Sequence, residues 1–136
     1  MGLLDRFLKK NKTALYYRLG EETLDAAVDL LYRNVLDDPS ISHFFEDIDI
    51  DRLRYRQKMF LTMALGGPNK YTGRDLTRAH AHLLKWGLDD SHFDRLLDHA
   101  RVALRQCQVG EEDIEVAINN LEGLRDDVLA RQKKKA

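Results

Sequence analysis

The chain has 136 residues, 43% of them hydrophobic and 33% charged, which is typical of one domain with a substantial core. Its 22 basic and 23 acidic residues give a formal net charge of -1, which argues against a nucleic-acid-binding protein. The only cysteine, Cys107, excludes a disulfide framework, a CxxC zinc site and a CxxCH haem attachment, and it favours a reducing, cytoplasmic location. No apolar run predicts a membrane span or a secretory signal.

The hydrophobic pattern predicts an all-α protein with four substantial helices and several short ones. Residues 1–12 form an amphipathic extension, expected to be a short extra helix on the domain, although its apolar side could also lie on a membrane surface. The domain proper covers residues 13–130, and residues 131–136 are a basic tail. Helices are predicted over 15–19, ended by Gly20, then over 21–36 and about 51–65. Between them, Phe44 and Phe45 lie in a turn-rich stretch, where at least one ring should cover a core or a ligand.

The helix over 51–65 has a polar interruption in its apolar face. The face consists of Leu53, Gln57, Phe60, Leu61 and Ala64. An unpaired buried amide costs about 1–3 kcal/mol. Gln57 therefore has either a protein partner or a polar ligand, and the sequence leaves both interpretations open.

The next helix carries a histidine on its apolar face. Gly66, Gly67 and Pro68 end the preceding helix, and the new one begins near residues 73–75. Its apolar face has helical spacing and consists of Leu76, Ala79, His80, Leu83 and Leu84. His82 points the other way, so the two histidines do not form a clamp. His80 is either a core histidine bonded to a backbone carbonyl or a ligand to a group seated against this face.

Two further helices are predicted towards the C-terminus. Ser91 is the expected N-cap of the first, with Asp94 as the acid of a capping box, and Gly110 follows its end. One long helix should then run from about residue 111 to the basic tail, with Arg125 and Val128 on its inner stripe.

The chain resembles the group I truncated haemoglobins in the order of Tyr32, Gln57 and His80 and in the stretches around these residues. The stretches are LYRNVLDDP, FFEDID, QKMFLTMALGGPNKYTGR, HFD and RDDVL, and the resemblance extends from residue 15 to about 129. It implies a truncated globin, a two-over-two helical sandwich around haem. It implies His80 as the proximal iron ligand, with the Leu76 carbonyl accepting the other ring N–H. Tyr32 and Gln57 would donate hydrogen bonds to a gas ligand on the opposite side.

The resemblance also implies the remaining contacts with the cofactor. The residues it places around the haem are Phe45, Leu53, Phe60 and Leu61, and those it places near the propionates are Arg56 and Tyr71. Leu124 stands where relatives with covalently attached haem have a histidine, so a removable haem b is expected. Arg56 stands where some relatives have a sixth iron ligand, and a guanidinium stays protonated, so a five-coordinate ferrous iron is expected.

The function implied is a monomeric haem protein that binds dioxygen, nitric oxide and carbon monoxide, with slow release of oxygen. Such a protein can convert nitric oxide to nitrate if a separate reductase supplies electrons, because the chain has no flavin or nicotinamide motif. Oxygen or nitric oxide storage, transport or sensing without turnover is the alternative within the same class.

Two alternatives come from other classes. The first is a non-haem helical metalloenzyme using His80, His82, His92 or His99, and the divergence of His80 and His82 opposes it. The second is a haem-free helical interaction module in which Tyr32, Gln57 and His80 are ordinary core polar residues. Both predict a colourless protein.

Overall fold

The computed structural model describes residues 14–68 and 72–131, and within these ranges the protein is all-helical. The expected N-terminal extension, Tyr71 and nearly all of the basic tail lie outside the described residues. The helices are α1 (Leu15–Leu36), α2 (Pro39–Ser42), α3 (Ile50–Ala64), α4 (Gly73–Leu84), α5 (Asp90–Gln106), α6 (Glu111–Glu122) and α7 (Arg125–Val128), with a 3-10 turn at His43–Phe45 after α2.

The helices α1, α3, α5 and α6 form two packed pairs. Helix α1 packs against α3, and α5 packs against α6. Contacts of α1 with α5 and of α3 with α6 join the pairs into a two-over-two sandwich. Helix α4 lies outside these pairs and packs against α7. The all-α prediction is therefore confirmed.

The apolar stripes predicted from helical spacing form the core. The stripe of α1 is buried over its whole length and consists of Leu24, Ala27, Val28, Leu31 and Val35. The helix is interrupted at Gly20, whose φ of 81° and ψ of 167° are not helical. Glycine populates this region at no steric cost, which explains the predicted break there.

The predicted start of α5 is wrong, because Asp89 is the N-cap in place of Ser91. The Asp89 carboxylate accepts a hydrogen bond from the Ser91 N–H at 2.9 Å. The Asp89 N–H donates in turn to Nδ1 of His92 at 3.0 Å, which completes a capping box. Aspartate caps helices as well as serine does and comes two positions earlier in the chain, so the helix begins at Asp90 and Asp94 lies beyond its first turn.

The predicted long final helix is also wrong, because α6 ends at Glu122 and α7 is separate. Gly123 follows α6, and glycine is a weak helix former. The turn brings α7 onto α4, where the Thr77 hydroxyl donates to the Asp127 carbonyl at 2.6 Å. Arg125 is not part of an apolar stripe. It makes ion pairs with Asp90, Asp94 and Glu122, and its guanidinium lies 4.7 Å from the centre of the Phe93 ring.

Gly67 lies where the chain after α3 passes close to α1. A Cβ at this position would be 2.5 Å from the Tyr16 ring and 2.9 Å from the Thr62 methyl. We expect Gly67→Ala to lower the free energy of unfolding by about 1–3 kcal/mol, the usual cost of overpacking. Urea denaturation checks this, with Gly110→Ala as the control: nothing lies within 4 Å of its Cβ, so its cost is limited to the N-cap position of α6, below about 1 kcal/mol. Equal stability of the two variants would contradict the packing argument.

A buried carboxylate joins the end of α1 to α5. Asp38 is only 5% exposed. One oxygen accepts from the Ser40 N–H at 3.0 Å and its hydroxyl at 2.7 Å, and the other accepts from Arg95 at 2.9 Å and His99 at 2.6 Å. The pKa of Asp38 lies well below its usual value, chiefly because of the hydrogen bond from Arg95. The hydrogen bonds from Ser40 and His99 lower it further, and burial opposes them.

This lowered pKa predicts how stability depends on pH. As pH falls below about 4, the unfolded chain takes up a proton at Asp38 that the folded protein does not, so this stabilisation is lost towards acid pH. We expect Asp38→Asn to cost about 1–3 kcal/mol of unfolding free energy at pH 7 and progressively less below pH 4. Urea denaturation across this pH range measures the difference. Asp98→Asn is the control, because exposed pairs contribute about 0–1 kcal/mol, and a pH-independent cost of Asp38→Asn would contradict the linkage.

Candidate functional site

A cavity opens between α3 and α4, with further walls from the α2 region and α5. It contains about 1160 Å³ of space free of protein atoms, part of it continuous with solvent. Its lining is mostly apolar and includes Ile41, Phe44, Phe45, Leu53, Phe60, Met63, Leu76, Leu83, Phe93 and Leu96. The polar side chains in the lining are Arg56, Gln57, His80 and His92. A few polar groups in a mostly apolar concavity are typical of a cofactor site.

His80 projects from α4 into this cavity, and its ring is held by its own helix. Its Nδ1 lies 2.7 Å from the Leu76 carbonyl oxygen, one turn earlier, which is the contact expected from the spacing. Because a carbonyl can only accept, Nδ1 carries the proton and Nε2 keeps its lone pair.

The environment of His80 also favours its neutral form. Burial lowers the pKa of His80 most, the positive charges of Arg56 and His82 lower it further, and the bond to Leu76 partly opposes them. A neutral imidazole with a free Nε2 and a fixed ring is the form that ligates metals.

Gln57 lies in the wall of the cavity contributed by α3. Its side chain is 5% exposed, and neither its amide nitrogen nor its amide oxygen has a hydrogen-bond partner within the described part of the chain. Each such group costs about 1–3 kcal/mol when it is left unpaired. This observation favours the second of the two interpretations left open by the sequence, in which Gln57 serves a polar ligand.

The structure brings most of the predicted site residues to one place. Those that line the cavity are Phe45, Leu53, Arg56, Gln57, Phe60, Leu76 and His80. Tyr32 is half-buried on α1 and is not among the lining residues. Leu61 is fully buried in the core, and it does not line the cavity. Tyr71 lies outside the described residues.

His92 is a lining residue that the sequence placed only among the ligands of a rival metalloenzyme. Its ring meets the Phe44 ring edge-on, with centroids 4.8 Å apart. Its Nδ1 lies 3.0 Å from the backbone nitrogen of Asp89 and 3.1 Å from the carboxylate of the same residue, so this nitrogen is engaged by the helix cap. The apolar stripe of α5 contained the neighbouring lining residues, but periodicity does not show which part of a stripe faces a cavity and which faces the core.

The sequence profile of the bacterial-like globin family matches residues 14–130. The chain belongs to this family. Membership implies a haem protein that binds small ligands, and it agrees with the two-over-two arrangement of the long helices. No helix of this globin in the described ranges is both long and apolar enough to cross a bilayer. Across the same residues, no three His, Cys, Asp or Glu side chains cluster as a metal site.

Individual relatives of this globin include group 1 truncated haemoglobins from several organisms. A group 1 truncated haemoglobin of Tetrahymena pyriformis is 37% identical over 118 residues, covering 86% of this chain and 95% of the relative. One from Synechocystis sp. is 44% identical over 102 residues, covering 74% and 82%. The crystal structure of a 2/2 haemoglobin from Synechococcus sp., with covalently attached haem, superposes with a TM-score of 0.77 at 33% identity, covering 87% of this chain and 99% of that one.

The residues of the cavity fit haem on three independent grounds. The walls are apolar and aromatic, as a porphyrin face requires. His80 is neutral and keeps a free Nε2 lone pair. Gln57 presents an uncommitted amide in the same cavity.

Proposed function

We propose that this globin holds haem b non-covalently, with His80 as the iron ligand, and binds dioxygen reversibly in support of nitric oxide dioxygenation to nitrate. The observation that carries the proposal is the buried amide of Gln57, which has no hydrogen-bond partner among the residues that the structure describes and lies in the same cavity as Nε2 of His80. Haem, when bound, supplies the iron that takes up the gas ligand and the redox chemistry of nitric oxide removal.

The chain's own residues would orient and enclose that group. The Leu76 carbonyl holds the His80 ring in one tautomer, so no reorientation is needed on ligation. Phe45, Leu53 and Phe60 line the cavity and would exclude water from it. Arg56 also lines it, and its guanidinium suits the carboxylates of haem.

Gln57 and Tyr32 are proposed as hydrogen-bond donors to the gas ligand. An amide N–H and a phenol hydroxyl each add about 1–1.5 kcal/mol to a bond with a partly negative acceptor. Tyr32 lies on α1, which packs against the helix that carries Gln57. Both donors would support storage, transport or sensing as well as nitric oxide removal, because each of these functions begins with retention of oxygen.

We also propose a cytoplasmic monomer that depends on an external reductase. The chain has one cysteine, Cys107, and so no intramolecular disulfide, which is usual for proteins of a reducing compartment. Nitric oxide dioxygenation would withdraw one electron from a bound haem for each nitrate formed, and an outside protein would have to return that electron.

The deciding experiment combines spectroscopy with product analysis. The purified protein with added haemin should show a stoichiometric Soret band, a five-coordinate ferrous form and a carbon monoxide complex. Nitric oxide mixed with the oxygenated protein should then yield one nitrate per haem. Oxygen binding without nitrate would leave storage, transport or sensing as the function, and absence of the Soret band would favour the haem-free interaction module.

The mode of haem attachment has its own test. Leu124 is half-buried and cannot form a covalent bond to a haem vinyl group. We expect acid and organic solvent to extract all the haem, in contrast to the covalent Synechococcus neighbour. Haem that remains with the protein after extraction would contradict this.

A further inference from the structure

The outer face of α4 carries a line of positive charge. Arg74, Arg78, His82 and Lys85 follow one another at spacings of four, four and three residues, which places them along one side of the helix. All four side chains are exposed. We call these residues the basic stripe. His80 lies on the inner side of the same helix and lines the cavity.

Most basic residues on the other helices have intramolecular partners. Examples are Arg18 with Asp113 at 3.0 Å, Lys58 with Asp25 at 3.0 Å and Arg105 with Glu111 at 2.7 Å. No ion pair to a described residue involves the basic stripe. The stripe therefore keeps its charge available to another molecule.

Two acids lie near the start of the basic stripe: Asp75 on α4, and Asp127 on α7, whose carboxylate would be 2.7 Å from a Cβ at Gly73. The Asp75 carboxylate accepts from the Thr72 N–H at 2.9 Å as part of a capping box. This backbone hydrogen bond, more than the nearby arginines, lowers the pKa of Asp75, so the group is ionised at neutral pH. Asp75 and Asp127 together offset two charges, and Arg74, Arg78 and Lys85 still exceed them by one.

An exposed tryptophan adjoins the end of the basic stripe. Trp86 is 54% exposed, and its ring meets the His82 ring edge-on at 5.9 Å. Tryptophan and arginine are the residues most enriched at the energetic centres of protein interfaces. A large apolar ring beside unpaired cations suits a protein partner better than a simple anion.

We propose that the basic stripe and Trp86 dock an acidic protein that donates one electron to the haem. This inference rests on the proposed function, which requires an outside donor. A partner on the stripe would be separated from the cavity by one helix, whose diameter is about 10–12 Å. The donor loses one electron and the ferric iron gains it, with no atom transferred.

The chemistry of the surface favours a protein over a polyanion. The chain as a whole has a formal charge of -1, so attraction to any negative partner comes from this local surface and not from the net charge, and the exposed Trp86 beside it suits a protein. Small charged interfaces are typical of transient redox encounters, and charge complementarity raises their association rates.

The test measures anaerobic reduction of the ferric, haem-loaded protein by a reduced, acidic plant-type [2Fe–2S] ferredoxin. The triple variant Arg74→Gln, Arg78→Gln, Lys85→Gln should lower the second-order rate constant about tenfold at low ionic strength and flatten its dependence on salt. The matched control is Arg18→Gln, Arg101→Gln, Arg105→Gln, which removes the same charge elsewhere and should change the rate less than about twofold. Reduction by dithionite and carbon monoxide binding should be unchanged in both.

Binding without electron transfer gives a second measurement. Calorimetric titration of the ferric protein with oxidised ferredoxin at low ionic strength should show weaker binding for the stripe variant and for Trp86→Ala than for the control. Equal loss in the two triple variants would overturn the proposal, as would stripe-dependent binding only to phosphatidylserine vesicles or duplex DNA. These assays contain no nitric oxide, so failure of the dioxygenase reaction would leave their outcome intact.

Discussion

Replacement of His80 by glycine is expected to remove the stable haem complex. Nε2 of His80 is the free lone pair that the described cavity offers to iron, since Nδ1 is bonded to the Leu76 carbonyl and Nδ1 of His92 is committed to the Asp89 N–H. Loss of a residue that only supports a metal ligand typically costs 10–100-fold in affinity, so loss of the ligand itself should cost more than about 100-fold. Transfer of haem to excess apomyoglobin, followed at the Soret band, measures the change.

Two controls separate ligation from folding. Added imidazole should restore a five-coordinate ferrous spectrum to His80→Gly, because the small base can occupy the space left by the side chain. His82→Gly removes a histidine from the exposed side of the same helix and should retain haem. Haem affinity in His80→Gly equal to that of His82→Gly would refute the assignment of the ligand.

Gln57→Leu is expected to have opposite effects on folding and on ligand retention. In the haem-free protein the substitution removes a buried amide without partners, so the free energy of unfolding should rise by about 1–3 kcal/mol. In the oxygenated protein it removes a hydrogen-bond donor, so oxygen should dissociate about tenfold faster. Urea denaturation of the apoprotein and stopped-flow displacement of oxygen by carbon monoxide measure the two effects.

The second proposed donor can be tested on the same scale. Tyr32→Phe should also speed oxygen dissociation about tenfold. In the double variant with Gln57→Leu, oxygen should therefore dissociate about 100-fold faster than in the unmodified protein. Asn119→Leu replaces an exposed amide on α6 and should change neither quantity. If Gln57→Leu destabilised the apoprotein, the amide would have a protein partner and the case for its role would fail. Unchanged oxygen release in Tyr32→Phe would remove Tyr32 from the site.

The sequence was most informative where a feature depends on neighbours within one helical turn. The break at Gly20 and the inward face of His80 are local consequences of backbone freedom and 3.6-residue spacing, and both are present in the structure. The predicted N-cap of α5 was wrong for a local reason too. Asp89 and Ser91 are both good N-cap residues, and only the hydrogen-bond geometry distinguishes them. The prediction of one long final helix was wrong because packing of α7 on α4 overrides the continuous helical pattern of apolar residues.

By itself, the sequence determined the helical class, the buried stripes and the side of α4 on which His80 lies, because these follow from spacing along the chain. Only the tertiary structure decided which polar groups meet partners. Among the described residues, Gln57 is left without a hydrogen-bond partner, Asp38 is enclosed by Arg95 and His99, and the basic stripe makes no ion pair. These contacts involve residues tens of positions apart in the chain, and hydrophobic periodicity does not report how close such residues lie in space.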